Sequence, residues 1–291
     1  MKTKFLQLIT CLSIVLASCS GSDDNPSNSG GGDTSTATTY MPLTVNNYWK
    51  YDVHTVTDPS GTNQISDNVD MLTATSDVTL NNIAYKKMTG VNETAGTATP
   101  AGFFSGALNN NNVRIDGSKL RVTGTISSGA TLPTPIEITI TDFVFFKEGA
   151  ASGDTLDSTS GTLSQTVNMS GIDVPLTVEY TLTSKGDGTL SSYAVNGNTF
   201  QNISKTKMIL ELKVTGTLTL GGFPVTMPLL EKQEVLVSNQ YYAKNVGMIY
   251  SSNNVQYTLN PELASLGFSI PGVPSTGTQT STESIKTYLI N

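Results

Sequence analysis

Cysteine and histidine are almost absent from this sequence, and their scarcity excludes several kinds of site. Cys11 and Cys19 are the only thiols among 291 residues, and His54 is the only imidazole. A Ser-His-Asp or Cys-His hydrolase needs a base beside its nucleophile, and zinc sites need three or four Cys, His or carboxylate ligands. His54 lies on the polar side of its segment, where we expect a surface histidine paired with a neighbour. We therefore expect no cofactor, no metal and no enzymatic activity.

Charged side chains are also scarce. They make up 13% of the chain, about half the usual share, and Thr, Ser, Asn and Gly replace them. This composition is typical of exposed strands and turns. The formal net charge is −7. Nucleic acid is therefore not an expected partner, because its phosphates require a basic surface.

The N-terminal apolar stretch is too short to cross a bilayer. Phe5 to Ala17 spans 13 residues and follows Lys2 and Lys4, which is the pattern of a cleaved signal peptide. Leu16-Ala17-Ser18-Cys19 resembles the lipobox of bacterial lipoproteins, in which the Cys receives a diacylglycerol and cleavage falls before it. The resemblance implies that residues 1–18 are a signal peptide and that Cys19 is lipidated. The acyl chains would join the mature chain to a membrane.

Residues 19–39 have the composition of a flexible linker, because they are rich in Ser, Gly, Thr, Asn and Pro. The acidic run behind the Cys resembles the export signal that sends lipoproteins of the Bacteroidota to the cell surface. This export signal comprises Ser20, Gly21, Ser22, Asp23 and Asp24. The resemblance implies a lipoprotein of the cell outer membrane that faces outward. Alternatively, the two acids only make the linker soluble.

Period-two alternation dominates residues 40–291. Between Lys207 and Leu220, apolar side chains lie mostly at even positions and polar ones mostly at odd positions. Val174 to Leu182 and Trp49 to Val53 alternate in the same way, which indicates strands with one buried and one exposed face. Because Trp49 and Tyr51 share a face with Val53, we favour core packing for them over a sugar-binding platform. Residues 40–291 are predicted to form a single all-β domain.

Turn signals separate the strand patterns. They are Asn81-Asn82, Asp116-Gly117, Gly186-Asp187-Gly188, Asn196-Gly197 and Gly221-Gly222. The apolar phase changes around Thr141 and Asp142, which predicts a bulge or sharp bend. Pro261 to Leu266 is the one segment where a short helix is expected. The predicted fold class is all-β, with long antiparallel meandering strands in a curved half-barrel or barrel-like sheet, and a β-sandwich is the alternative.

Two segments resemble an uncharacterised family of bacterial lipoproteins. Met41 to Tyr51 resembles the P-L-x-V-G-N-x-W-x-Y start of that family, with Asn46 in place of the usual Gly. Tyr242 to Ile249, together with the last strand Ile285 to Leu289, is similar to its ending. These proteins look like the half-barrels of periplasmic lipoprotein carriers and lipid-binding lipoproteins. The resemblance implies the fold and a hydrophobic concavity, and it carries over no ligand-binding residues.

Three turn segments share the order Gly, large apolar residue, any residue, β-branched apolar residue. They begin at Gly171, Gly222 and Gly267. Turns normally favour polar residues, so these side chains cap the open end of the core, form the mouth of an apolar pocket, or form a patch that meets lipid or a partner protein. The candidate mouth residues are Ile172, Val174, Phe223, Val225, Phe268 and Ile270.

A further pattern concerns modification. Asp154-Thr155-Leu156 and Asp157-Ser158-Thr159 resemble the acceptor pattern for O-glycans in Bacteroidota. This resemblance implies an exposed loop with Thr155 and Ser158 as candidate O-glycosylation sites.

The expected function is a non-catalytic binding or accessory role at the outer membrane. The preferred hypothesis is that the concave apolar face of the sheet holds a hydrophobic or lipid-like ligand. The alternative is a surface adhesin, a glycan-binding protein or a scaffold subunit of an outer-membrane complex, in which the inner face is a filled core. An outer-membrane protein is then the expected partner.

Overall fold

The computed structural model describes residues 40–58, 63–127, 136–169, 172–220, 223–265 and 273–291. These residues form twelve strands and two short helices. The strands are β1 (Tyr48–Asp58), β2 (Gln64–Leu80), β3 (Ile83–Asn92), β4 (Asn112–Asp116), β5 (Lys119–Ser127), β6 (Glu137–Lys147), β7 (Thr155–Met169), β8 (Ile172–Val195), β9 (Asn198–Leu220), β10 (Phe223–Ala243), β11 (Gly247–Thr258) and β12 (Thr276–Leu289). The helices are α1 (Phe103–Leu108) and α2 (Glu262–Ser265).

All twelve strands belong to one antiparallel sheet. Their order is β6-β5-β4-β3-β2-β1-β12-β11-β10-β9-β8-β7, so each half of the chain meanders outward from the central β1–β12 pair. The sheet curls into a nearly closed barrel. This confirms the predicted all-β, barrel-like sheet of long meandering strands. The strands are long, as the pattern predicts, and β8 has 24 residues.

The barrel has two ends, which we call the helix end and the opposite end. At the opposite end β1 begins, where Tyr48 pairs with Leu289 of β12. At the helix end β1 finishes, where Asp58 pairs with Thr278. The segment between β3 and β4 carries α1 at the helix end. No helix within the described residues is long and apolar enough to cross a bilayer.

Side chains join the two edge strands at Val144 of β6. Its backbone N–H donates to Oδ2 of Asp157 on β7 at 2.9 Å, and its carbonyl accepts from Oγ of Ser184 on β8 at 2.5 Å. Unpaired edge strands present backbone groups that need partners. The carboxylate of Asp157 and the hydroxyl of Ser184 therefore make the hydrogen bonds to Val144 that the backbone of a neighbouring strand would make in a regular sheet.

Aromatic side chains fill the middle of the barrel. Trp49 and Tyr51 are fully buried, which confirms core packing for both. Phe104 of α1 packs edge-on against the rings of Tyr51, Phe145 and Tyr242 at centroid distances of 5.9, 6.1 and 6.1 Å. Burying each such side chain stabilises the fold by about 1.5–3 kcal/mol. The concave face is thus a packed core at its centre.

Left-handed backbone conformations occur at the predicted irregularities. Asp142 has a φ of 53°, and the β5–β6 register shifts between Val122 and Gly124, which confirms the expected bulge. Asn46 has a φ of 73°, a conformation that Asn tolerates better than most residues. Its N–H donates to the carbonyl of Ala74 at 2.7 Å. An Asn at this position is therefore compatible with the opening turn.

Most turn predictions within the described residues hold, with one exception. Asn81-Asn82, Asp116-Gly117 and Asn196-Gly197 each lie at a hairpin between consecutive strands. Gly186-Asp187-Gly188 does not end a strand, because it forms a bulge within β8 between Gly186 and Thr189. Gly221-Gly222 lies outside the described residues. The short helix expected after Pro261 is present as α2.

Candidate functional site

Two buried carboxylates hold the start of α1. Asp70 lies on β2 and Glu283 on β12, and both are fully buried. The donors are the backbone N–H groups of Ala101 and Gly102, at 3.0 and 2.7 Å from Asp70, and of Phe104 and Ser105, at 2.6 and 3.0 Å from Glu283. The first N–H groups of a helix have no partners within the helix, and the bonds to Glu283 satisfy two of them in α1. The carboxylates therefore fix α1 inside the barrel.

The hydroxyl of Ser105 lies between the two carboxyl groups. Its Oγ is 2.6 Å from Oδ2 of Asp70 and 2.9 Å from Oε2 of Glu283. A hydroxyl donates only one proton, so the second short contact requires a protonated carboxyl group. Burial raises the pKa of Glu283, and the negative charge of Asp70 raises it further. Both effects favour the protonated form of Glu283.

Gly102 is required by this arrangement. A Cβ built at Gly102 would lie 2.3 Å from the carboxyl group of Glu283. Only glycine lets the backbone approach a carboxyl group this closely. The role of the carboxyl pair is to position α1. No group of three or more His, Cys, Asp or Glu suited to a metal occurs in the described part of the chain.

A cleft of about 680 Å³ lies at the helix end, between α1 and the ends of the strands around it. We call it the α1 cleft, and the lining residues that matter most are Phe103, Gly106, Glu137, Leu236, Asn253 and Gln279. Its walls combine apolar side chains with amides and hydroxyls. Small-molecule sites are usually clefts of about 300–1,000 Å³ with a few polar groups.

Asn253 is the unusual residue of the α1 cleft. It is 2% exposed, and its Nδ2 donates to Oγ of Ser251 and of Ser281, each at 3.3 Å. Its Oδ1 accepts no hydrogen bond from any described residue. A buried acceptor without a donor costs about 1–3 kcal/mol. An unpaired amide oxygen on a residue that lines a cleft can accept a hydrogen bond from a ligand.

A second cleft, of about 570 Å³, lies beside the segment that precedes β1. Its two basic residues, Arg114 and Lys86, already have acidic partners. Arg114 binds both oxygens of Asp142 at 2.7 Å each, and Lys86 binds Asp77. The hydrogen bonds from Arg114 lower the pKa of Asp142. Because Arg114 and Lys86 already pair with acidic side chains, they have less charge to offer a ligand. This cleft is therefore the weaker candidate for a binding site.

The candidate mouth residues do not come together at one site. Val174 is buried in a small second core with Leu176, Met227, Leu229 and Leu263. Phe223 and Val225 are 74% and 39% exposed at the start of β10. None of these three mouth residues lines the α1 cleft. The side chain of Ile172, and all of Phe268 and Ile270, lie outside the described residues.

The other expected sites have separate positions. Thr155 and Ser158 are exposed, but they lie in edge strand β7, not in the loop that was expected. His54 is exposed and pairs with Asp67 at 2.6 Å. Cys19 and the segment from Ser20 to Asp24 lie outside the described residues.

Sequence reasoning missed the helix and the carboxyl groups that hold it. α1 has six residues, too few for a helical period, and its N-cap residue, Gly102, has no side chain that could mark the start in the sequence. A signal did exist in the strands, since Asp70 shares the inward phase of Leu72, and Glu283 that of Ile285. An acid in the apolar phase of a strand indicates a buried polar contact.

Comparison of the chain with protein-family models, with curated proteins and with solved structures finds no match. The geometry of the α1 cleft is therefore the feature of the described chain that indicates a function.

Proposed function

We propose that this chain is an outward-facing outer-membrane lipoprotein, anchored through Cys19, which binds a small ligand in the α1 cleft and does not transform it. The observation that carries the binding proposal is the unpaired Oδ1 of Asn253 in the wall of a cleft of about 680 Å³. The anchor and the membrane face depend on the lipobox and the acidic export signal at residues 16–24.

The packing of the barrel limits the form of the ligand. The centre of the concave face is occupied by buried aromatic rings, including Phe104 and Tyr242. A long hydrocarbon chain therefore has no continuous groove through the middle of the described barrel. The apolar part of a ligand would contact Phe103 and Leu236, and its polar part would face Asn253 and Gln279. The cleft thus suits a compact molecule of mixed polarity.

Gly106 offers a direct test of binding. It lines the cleft, and a Cβ at this position meets no described atom within 4 Å. We expect a larger side chain there to occupy the cleft. We expect native mass spectrometry of the detergent-extracted lipoprotein to show a bound adduct in the wild type and in Gly106→Ala. Gly106→Phe should lack the adduct. An adduct of equal occupancy in Gly106→Phe, or none in the wild type, would contradict the proposal.

The anchor has a separate test. Cys19→Ala removes the acyl acceptor, so we expect the protein to lose its acyl mass and to leave the membrane fraction. Protease treatment of intact cells should degrade the wild-type protein if it faces outward. Continued membrane association of Cys19→Ala, or full protection in intact cells, would contradict this part of the proposal.

A second candidate function is contact with an outer-membrane protein partner, as an adhesin or a scaffold subunit. The exposure of Phe223 and Val225 at one hairpin favours it, because exposed apolar side chains often mark interaction sites. Phe223→Ser combined with Val225→Ser should then abolish cross-linking to a partner in intact cells without changing the melting temperature. A fall in melting temperature with unchanged cross-linking would show that the two side chains only support the fold.

A further inference from the structure

The α1 cleft contains little charge. Among its described lining residues, Glu137 is the only one that ionises, and it is an acid. The ammonium of Lys87 donates to the backbone carbonyl of Asn110, which also lines the cleft, but Lys87 itself is not a lining residue. An anion buried here would have no lining cation to pair with. The cleft therefore disfavours fatty acids, phosphates and acidic sugars.

The uncharged polar groups of the cleft are suited to hydroxyl groups. Asn253 presents a buried acceptor without a donor, and Gln279 and Ser281 add an amide and a hydroxyl close to it. Gln279 and Ser281 lie two positions apart on β12 and so share one face of that strand. A molecule with several hydroxyl groups can donate to one of these residues and accept from another.

The apolar wall gives the ligand a second surface. Phe103 is half-buried at the start of α1 and lines the same cleft as Leu236. An aromatic ring beside amide and hydroxyl groups matches a molecule with an apolar ring face and a polar rim. Neutral sugars in ring form have this character, whereas an aliphatic lipid offers no donor for Asn253.

We infer that the ligand of the α1 cleft is an uncharged ring compound with several hydroxyl groups, namely a neutral saccharide. This inference rests on the proposed binding function and names its ligand class. A hydroxyl of the sugar donates to Oδ1 of Asn253, and the apolar face of its ring lies against Phe103.

Isothermal titration of the detergent-extracted lipoprotein tests the ligand class. The neutral probes are maltotriose, cellotriose and xylotriose, the acidic probe is trigalacturonic acid, and the lipid-like probe is oleate. We expect at least one neutral trisaccharide to bind at least about tenfold more tightly than the acidic and lipid-like probes. This binding should be lost in Gly106→Phe and kept in Asn254→Leu, because Asn254 does not line the cleft. Equal or tighter binding of trigalacturonic acid or oleate would overturn the inference.

Asn253 gives the residue-level test. Asn253→Leu should weaken binding of the neutral trisaccharide by about tenfold, because the sugar hydroxyl loses its acceptor. The melting temperature should change little, since the variant removes the unpaired acceptor together with the two long hydrogen bonds from Nδ2 to Ser251 and Ser281. Asn254→Leu, at the neighbouring outward position of β11, is the matched control and should keep wild-type affinity. Unchanged affinity in Asn253→Leu would overturn the assignment of Asn253.

The ligand class and the binding function can fail separately. If no neutral trisaccharide binds but the wild type still carries an adduct that Gly106→Phe lacks, the ligand class is wrong and the binding function stands. If neither binding nor an adduct is observed, both are wrong.

Discussion

The backbone N–H of Phe104 donates to Oε1 of Glu283 at 2.6 Å and so joins α1 to a strand 179 residues later in the sequence. The bond lies inside the barrel, away from solvent. Because α1 forms one wall of the cleft, the position of that wall depends on this contact. The shape of the cleft is therefore sensitive to changes that do not touch it.

Gly102→Ala should destabilise the protein, whereas Gly106→Ala should not. The new Cβ at Gly102 would lie 2.3 Å from the carboxyl group of Glu283, while the one at Gly106 meets no described atom within 4 Å. We expect Gly102→Ala to lower the free energy of unfolding by about 1–3 kcal/mol. Gly106→Ala should raise it by up to about 1 kcal/mol through helix propensity. Urea denaturation measures both changes, and equal effects would show that Gly102 does not contact Glu283.

The buried carboxyl group of Glu283 predicts a particular pH dependence. Its pKa in the folded protein is raised above the ordinary value of 4.5, so the folded state binds the proton more tightly than the unfolded state. The stability from this group is fully present below the ordinary value and is lost as the pH rises through the raised pKa. Gln at this position cannot ionise, so the free energy of unfolding of the wild type minus that of Glu283→Gln should fall from pH 4.5 to pH 8. A value that rises over this range would contradict the raised pKa of Glu283.

Asp142 should show the reverse dependence. Hydrogen bonds from Arg114 hold its pKa below the ordinary value of 3.8, so its contribution is present above that pH and is lost as the pH falls through the lowered pKa. Asn tolerates the left-handed backbone at this position, so Asp142→Asn removes the charge and keeps the bulge. We expect a lower melting temperature at pH 7 and convergence with the wild type in strong acid.

Asp77→Asn is the matched control for this charge change. Asp77 pairs with Lys86 but is 74% exposed, so its loss should change stability by less than about 0.5 kcal/mol. If Asp77→Asn changed stability as much as Asp142→Asn, both acids would act only through the net charge of the protein, and the hydrogen bonds between Arg114 and Asp142 would add nothing.

The edge contact at Val144 should matter for stability. Asp157→Ala leaves the backbone N–H of Val144 without its side-chain acceptor, which should cost about 1–3 kcal/mol. Asp173→Ala on β8 removes an exposed acid whose partner is Asn168, and its effect should stay within about 0.5 kcal/mol. Hydrogen exchange at Val144 should be faster in Asp157→Ala only. Unchanged exchange there would show that the edges close without Asp157.

The sequence predicted the sheet well because alternation is a local property. Met208, Leu210 and Leu212 repeat at period two and are all buried, as the pattern requires. The bulge near Asp142 was predictable for the same reason, since a phase change is visible in the residue order.

The site was harder to predict because its parts are distant in sequence. Glu283 and Ser105 are 178 positions apart and meet only when the sheet closes. Gly186-Asp187-Gly188 shows a related limit, because the same residues form a turn or a bulge depending on the neighbouring strand. Local composition does not distinguish these outcomes.

A crystal structure of the lipoprotein soaked with its best-binding neutral trisaccharide tests the central claim most directly. We predict density for a sugar ring in the α1 cleft, with a hydroxyl within hydrogen-bond distance of Oδ1 of Asn253 and a ring face on Phe103. Density instead beside Arg114 in the second cleft, or at the exposed Phe223 hairpin, would contradict the account.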